Sequence, residues 1–379
     1  MMLYFDYAAT TPVDGQVVAA MAPFFTEEFY NPSSLYTPGK KAGQAIQKAR
    51  SQVAALIGAE PEEILFTSGG TEADNTALIG AALAARKRGS LRRKLVVSAI
   101  EHHAVLETCR FLETLGFETV LLPVDPLGRV LPETLAEAVG PDTAVVSVMW
   151  VNNEIGTLQD IPTLAAVAHR AGALFHTDAV QALGTQPVDF HRCGADLMSI
   201  SSHKIYGPKG CGALAVRTGV ELPALLHGGQ QEGGRRGGTE NVPAIVGFGK
   251  AAQLLSQRRE ADARQMLAHK LRMLAALASE DILCLSPPEA TAPSVLNIAL
   301  RGVEAEGMVF CLNREGICLS MGAACNSKSV EPSHVVRALG MPEEYVRGCL
   351  RLSFGRGQSD EDCDVLAEAI RRFAALLRS

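Results

Sequence analysis

The sequence predicts an α/β protein whose core is a mainly parallel sheet covered by helices. Two observations carry this. Between residues 64 and 216, short apolar runs alternate with helical stretches, the order in which consecutive strands lie side by side with helical crossovers between them. Residues able to do chemistry follow closely after several of those runs, at Gly70, Asn153, Asp178 and Lys204, and open α/β sheets bind their ligands beyond the carboxyl ends of the strands.

Seven candidate strands follow in order. Ile64–Phe66 stops at a glycine pair, after which a helical pattern spans Thr71–Arg88. Leu95–Ser98 leads into a helix over Leu106–Leu115, and Thr119–Leu122 is followed by the run Ala144–Trp150. A helix over Ile161–His169 precedes Ala173–His176, a buried run that closes on Asp178. Leu197–Ser201 and Ala213–Val216 complete the set. After Phe248 the texture changes: Ala251–Glu280 is long, charged and helical in pattern, the later strands are shorter (Val295–Ala299, Ile317–Leu319, Leu350–Ser353), and a last helix covers Asp360–Leu377. A large domain over 12–258 and a smaller α+β domain made of 1–11 with 259–379 are expected.

With 379 residues, of which 47% are hydrophobic and 20% charged, the chain is long enough for a large core and has the balance of a globular protein. A formal net charge of −6 provides no general basic field for nucleic acid. The cluster Arg86-Lys87-Arg88 with Arg92-Arg93-Lys94 reads as a solvated helix end or loop. No apolar run reaches membrane-spanning length. The nine cysteines form no Cys-x-x-Cys pair, so neither a zinc site nor a thioredoxin-like motif is indicated. With no signal segment read at the start, free thiols in a reducing, cytoplasmic setting are the expectation.

Three segments carry chemistry. Lys204, in Ser201-Ser202-His203-Lys204, stands just past an apolar run and behind two hydroxyls and an imidazole. Lysine amines form Schiff bases with carbonyl compounds, pyridoxal phosphate among them, although an isolated lysine after a strand is most often a solvated charge. Asp178 ends the strand before it, 26 residues upstream. Enzymes using pyridoxal phosphate need a carboxylate against the pyridine nitrogen; alone, the same aspartate reads more readily as a helix cap, and its pairing with Lys204 favours the cofactor. Gln181 stands within reach of the ring hydroxyl. Ser68-Gly69-Gly70-Thr71 opens a helix, where backbone amides and glycines favour a phosphate. The glycine-rich run 228–241, with Arg235, Arg236 and Thr239, suggests an anion site. Cys318 lies in an apolar stretch and reads as structural. Cys325 lies among small polar residues, with Lys328 and His334 near in sequence, the setting that favours an accessible thiolate.

Taken together these segments resemble cysteine desulfurases of the NifS/IscS type, within the class-V aminotransferases of fold-type I. The resemblance runs through Asp6-Tyr7-Ala8-Ala9-Thr10-Thr11, Asn31-Pro32-Ser33-Ser34, Ser68–Asn75, Glu101-His102-His103-Ala104-Val105 and Asn152-Asn153-Glu154-Ile155-Gly156. It continues through Thr177–Gln181, Ser201–Lys204, Arg236–Asn241, Cys325, Glu331-Pro332-Ser333-His334 and Arg351–Gly355. It implies pyridoxal phosphate bound covalently by Lys204, which also moves the substrate α-proton. It further implies Asp178 at the ring nitrogen, Gln181 at the ring oxygen and His102 as a catalytic residue, stacked on the ring and assisting proton transfer. Gly70, Thr71, Ser201 and His203 would hold the phosphate, and Thr239 would reach the phosphate of the partner subunit in a homodimer. Asn153, which also faces the cofactor, and Arg351 would grip the carboxylate of L-cysteine. Cys325 would take the sulfur as a persulfide and pass it to an acceptor such as an iron–sulfur scaffold protein, with Cys325 also a conceivable transient cluster ligand. Direct nucleic-acid or membrane binding is not implied. Tyr36, Gly237, Met321 and Ala323 depart from the usual family residues without removing a catalytic group, and the loop changes at Met321 and Ala323 bear on the acceptor and the rate rather than on the chemistry. A lyase acting on selenocysteine shares every cofactor residue, whereas a non-catalytic docking subunit would not need Lys204, Asp178 and Cys325.

Overall fold

The computed structural model describes residues 2–87, 92–321 and 332–378. Its strands, in chain order, are β1 (Leu3–Tyr4), β2 (Ile64–Thr67), β3 (Lys94–Ser98), β4 (Glu118–Leu122), β5 (Thr143–Ser147), β6 (Leu174–Asp178), β7 (Leu197–Ser201), β8 (Gly212–Val216), β9 (Ile282–Cys284), β10 (Val295–Leu300), β11 (Ile317–Cys318) and β12 (Cys349–Ser353). Seven of them form one sheet in the order β2-β8-β7-β6-β5-β3-β4. The pairs β3–β4, β3–β5, β5–β6 and β6–β7 are parallel. Strand β8 runs against both β7 and β2. Only residues 202–211 join β7 to β8, too few for a helical crossover, so the chain returns antiparallel. Because β2 opposes β8 in turn, its carboxyl end falls on the same sheet edge as those of β3, β5, β6 and β7.

Alternation of side chains divides the sheet between two apolar layers. Phe66, Val96, Val146, Phe175, Met198 and Ile200 face one core, while Leu65, Leu95, Val97, Val145, Leu197 and Leu214 face the other. The run expected to be a strand to Trp150 leaves the ladder at Ser147, yet Val148 N and Trp150 N still donate to the carbonyls of His176 (3.2 Å) and Asp178 (2.9 Å). The next residues are thereby held against β6.

A 21-residue helix, Thr37–Ile57, has no counterpart in the sequence reading. It packs on the helix Val242–Ala276, and the two backbones approach so closely that a Cβ at Gly249 would lie 2.6 Å from Ala49 Cα. The latter helix has 35 residues and begins nine residues before the expected Ala251, at an Asn241 cap whose side chain accepts from Ala244 N. Its first half joins the sheet core through Ile245, Phe248 and Leu255. Its second half joins another core, built on the antiparallel sheet β12-β10-β9, through Met266 and Met273. Phe5 lies in that second core, and β1 pairs in parallel with β11. No helix among the described residues is long and apolar enough to cross a membrane.

Candidate active site

At the carboxyl edge of the large sheet lies a cavity of about 310 Å³. Gly70, Thr71, His102, Asn153, Asp178 and Gln181 line it, with Ser201, His203, Lys204 and Arg351. Their convergence follows from the topology. Asp178 and Ser201 are the last residues of neighbouring strands β6 and β7, His203 and Lys204 occupy the 3-10 turn after β7, and Gly70 opens the helix after β2. His102 stands in the N-cap position of the helix His103–Glu113, its Nδ1 accepting from Ala104 N at 3.0 Å.

The amine of Lys204 donates to the carbonyls of Ala8 (2.5 Å) and Ala9 (2.8 Å), and the Gln181 amide donates to Ala8 O (2.9 Å). The N-terminal segment therefore forms one wall. Asp178 Oδ1 accepts from Val180 N at 2.8 Å. Burial pushes the Asp178 carboxyl up to about 6, against the opposing pull of that hydrogen bond and of the Lys204 ammonium. Burial, aided by Lys204, draws His102 down to about 4, and His203, whose Nδ1 lies 3.1 Å from Thr10 Oγ1, falls to about 4 for the same reasons. Both imidazoles are neutral at pH 7. Arg351 is 2% exposed. It donates through Nη1 to Asn153 O (2.9 Å) and through Nη2 to Asp6 Oδ1 (2.7 Å), while its buried Nε has no partner.

Sequence reasoning left several residues of the cavity unassigned. Asp74 and Glu101 line it, fully buried, each with a carboxyl oxygen lacking a hydrogen-bond partner, and burial together with the nearby Asp178 carboxyl raises both well above the usual carboxylate range. Glu154, 3% exposed, also lines it. Glu101 and Glu154 stood inside recognisable motifs, yet nothing local marks a carboxylate as buried. Asp6, which holds Arg351, carried only its place in the N-terminal motif. Thr239 lies in a separate cleft with Ser68 and Arg236. Arg236 pairs there with Glu72 at 3.0 Å, so the protein's own carboxylate meets the arginine expected to face an anion. Cys325 and Lys328 lie outside the described residues.

The cavity suits a phosphorylated pyridine aldehyde. Ser201 Oγ is buried without a partner, a hydroxyl in need of an acceptor. Gly70 starts an 18-residue helix, and a Cβ there would sit 2.9 Å from Val180 Cγ2, so the first turn reaches the cavity through backbone alone. A buried carboxylate and an amine stand on neighbouring chain segments for the ring nitrogen and the aldehyde. The profile of the class-V aminotransferases matches residues 3–366. The chain belongs to this family. It is 47% identical to a protein named cysteine desulfurase IscS from Methanosarcina thermophila, over 100% of this chain and 93% of the relative. A solved structure described as a NifS-like protein superposes with a TM-score of 0.93 at 34% identity, covering all of both chains. Another, described as SspA in complex with cysteine, gives 0.83 at 36% identity over 94% of this chain and 100% of that one. Members of this family use pyridoxal phosphate, and the residues above are the ones that would hold it.

Proposed function

We propose that this protein is a pyridoxal phosphate-dependent cysteine desulfurase that converts L-cysteine to L-alanine and passes the sulfur to an acceptor. The observation that carries the reading is the convergence of Lys204, Asp178, His102 and Arg351 on one cavity at the sheet edge. When bound, the cofactor supplies an electron sink for charge that develops at the substrate α-carbon. Lys204, whose amine donates to the Ala8 and Ala9 carbonyls, would attach it and carry the α-proton. Asp178 would face the ring nitrogen, Gln181 the ring oxygen and the neutral His102 the ring face. Gly70, Thr71, Ser201 and His203 would hold the phosphate. Asn153 orients Arg351, whose guanidinium takes the substrate carboxylate as a planar fork. In the sulfur step the Cys325 thiolate attacks the substrate sulfur. The carbon–sulfur bond breaks, a sulfur–sulfur bond forms, and the pair left on carbon takes a proton to give alanine. Cys325 is thereby oxidised to a persulfide, which an acceptor thiol or a reductant cleaves.

The acceptor proposed is an iron–sulfur scaffold protein. Thr239, away from its own cavity, is proposed to complete the phosphate site of a second subunit in a homodimer, and the protein is proposed to act in the cytoplasm. The large unit is taken as residues 12–258, the smaller one as 1–11 with 259–379. The test is alanine and sulfide formation from L-cysteine and a reductant. Wild type is expected to form both, and Cys325→Ala neither, with the cofactor absorbance retained in each. Full turnover by Cys325→Ala would refute sulfur transfer through that thiol, and equal or faster turnover of selenocysteine would favour the selenocysteine lyase instead.

A further inference from the structure

Both ends of the span that carries Cys325 meet the protein beside Asn153 and Arg351. Upstream, Ser320 and Arg351 exchange backbone hydrogen bonds, at 3.3 Å from Ser320 N and 2.8 Å from Arg351 N. Downstream, Ser333 Oγ donates to Glu154 Oε2 at 2.6 Å, and His334 Nε2 lies 2.9 Å from the Glu101 carbonyl. Glu154 is 3% exposed and rigidly framed. Its N–H donates to Asn152 Oδ1 (2.8 Å), and its carbonyl accepts from Asn297 Nδ2 (3.1 Å). The preceding residue is Asn153, whose carbonyl accepts from Arg351 Nη1.

The backbone that carries this carboxyl is held by those bonds and runs directly on from the Asn153 carbonyl that accepts from Arg351. The carboxyl has little cause to be there for stability alone, because a buried acid costs free energy unless it is well partnered. Burial raises its proton affinity above that of an ordinary glutamate, against the pull of Ser333 and Arg351. What it contributes is a fixed point for the chain at Ser333.

We propose that Ser333 and Glu154 are positioning residues for sulfur transfer: their hydrogen bond ties the chain following the Cys325 segment to the residues that bind the substrate carboxylate. Substrate position and thiol delivery then share one reference frame. The inference rests on the roles proposed above for Arg351, Asn153 and Cys325.

A simpler role for Ser333 is structural, since its Oγ also accepts from Val335 N as the cap of the short helix His334–Ala338. Ser333→Gly separates the two, because glycine serves nearly as well as serine in a cap but lacks the hydroxyl. Two rates are read on the cofactor-loaded enzyme. One is desulfuration of L-cysteine, which needs Cys325. The other is exchange of the α-proton of L-alanine in deuterated water, which needs only the cofactor, Lys204 and the carboxylate site. In Ser333→Gly, kcat for desulfuration is expected to fall about tenfold, the worth of one hydrogen bond, with α-proton exchange within about twofold of wild type. Ser333→Thr is expected to restore the rate, and Ser333→Gly is expected to cause no further loss in a Glu154→Leu background. Equal loss of both rates, an unchanged desulfuration rate, or a further loss in the Glu154→Leu background would overturn the proposal. A wild type that exchanges the α-proton but releases no sulfur would instead sink the desulfurase reading, and this inference with it.

Discussion

Replacing Arg351 by lysine tests the carboxylate site most directly, because it removes the fork and keeps the charge. The guanidinium is buried and fixed from two sides, by Asn153 O and by Asp6 Oδ1. A carboxylate arriving at such a group makes two parallel charged hydrogen bonds, whereas an ammonium offers one point contact. Losing one charged hydrogen bond costs about 1.5–3 kcal/mol, or about ten- to a hundredfold in kcat/KM. The loss should appear chiefly as a raised KM, measured as alanine formed against L-cysteine concentration. Affinity for pyridoxal phosphate, read from its visible absorbance, should stay within about twofold of wild type, since the polar contacts described for Lys204 and Asp178 are made to Ala8, Ala9 and Val180 instead. A kcat/KM within about twofold of wild type would refute the assignment. So would a loss matched by an equal loss of cofactor affinity, because Arg351 would then be holding the cavity together rather than binding substrate.

Two further predictions concern groups outside the chemistry. Glu232 accepts from both terminal nitrogens of Arg50 (2.9 and 2.6 Å) and from Phe66 N (3.0 Å); Glu232→Ala leaves a buried arginine unpaired and should cost about 3–5 kcal/mol in urea unfolding, and a loss below about 1 kcal/mol would mean the pair behaves as a surface one. Lys270, fully buried, donates to Thr291 Oγ1 (2.6 Å) and Ala292 O (3.1 Å), and burial lowers it from 10.5 to about 8. Between those two values only the unfolded chain carries the proton, so the stability of wild type should rise with pH relative to Lys270→Met and the difference should be flat below about 8; a difference independent of pH throughout would show that the amine is not perturbed.

Much of the candidate site was legible because its residues sit at strand ends. A parallel sheet gathers all such ends on one edge, so a lysine, an aspartate and a glycine pair noticed separately along the chain become neighbours as soon as the strands are placed. The sequence had no comparable handle on the helix Thr37–Ile57. Its buried face contains Gly39, Ala42 and Ala49, small residues chosen for close backbone approach, which blur the apolar period that would have announced it. The reversal of β8 was hidden for another reason, since it depends on the length of a loop and not on any residue within the strand. Least legible were the contacts that give the site its precision. Asp6 and Arg351 are 345 residues apart in sequence, and Ser333 and Glu154 are 179 apart. Each member of such a pair is an ordinary residue where it stands, and becomes a determinant of function only through the partner the fold brings to it. The chemistry of the site is therefore written in short motifs, while its alignment resides in long-range pairs, and variants of those pairs should alter rates and substrate binding before they alter cofactor content.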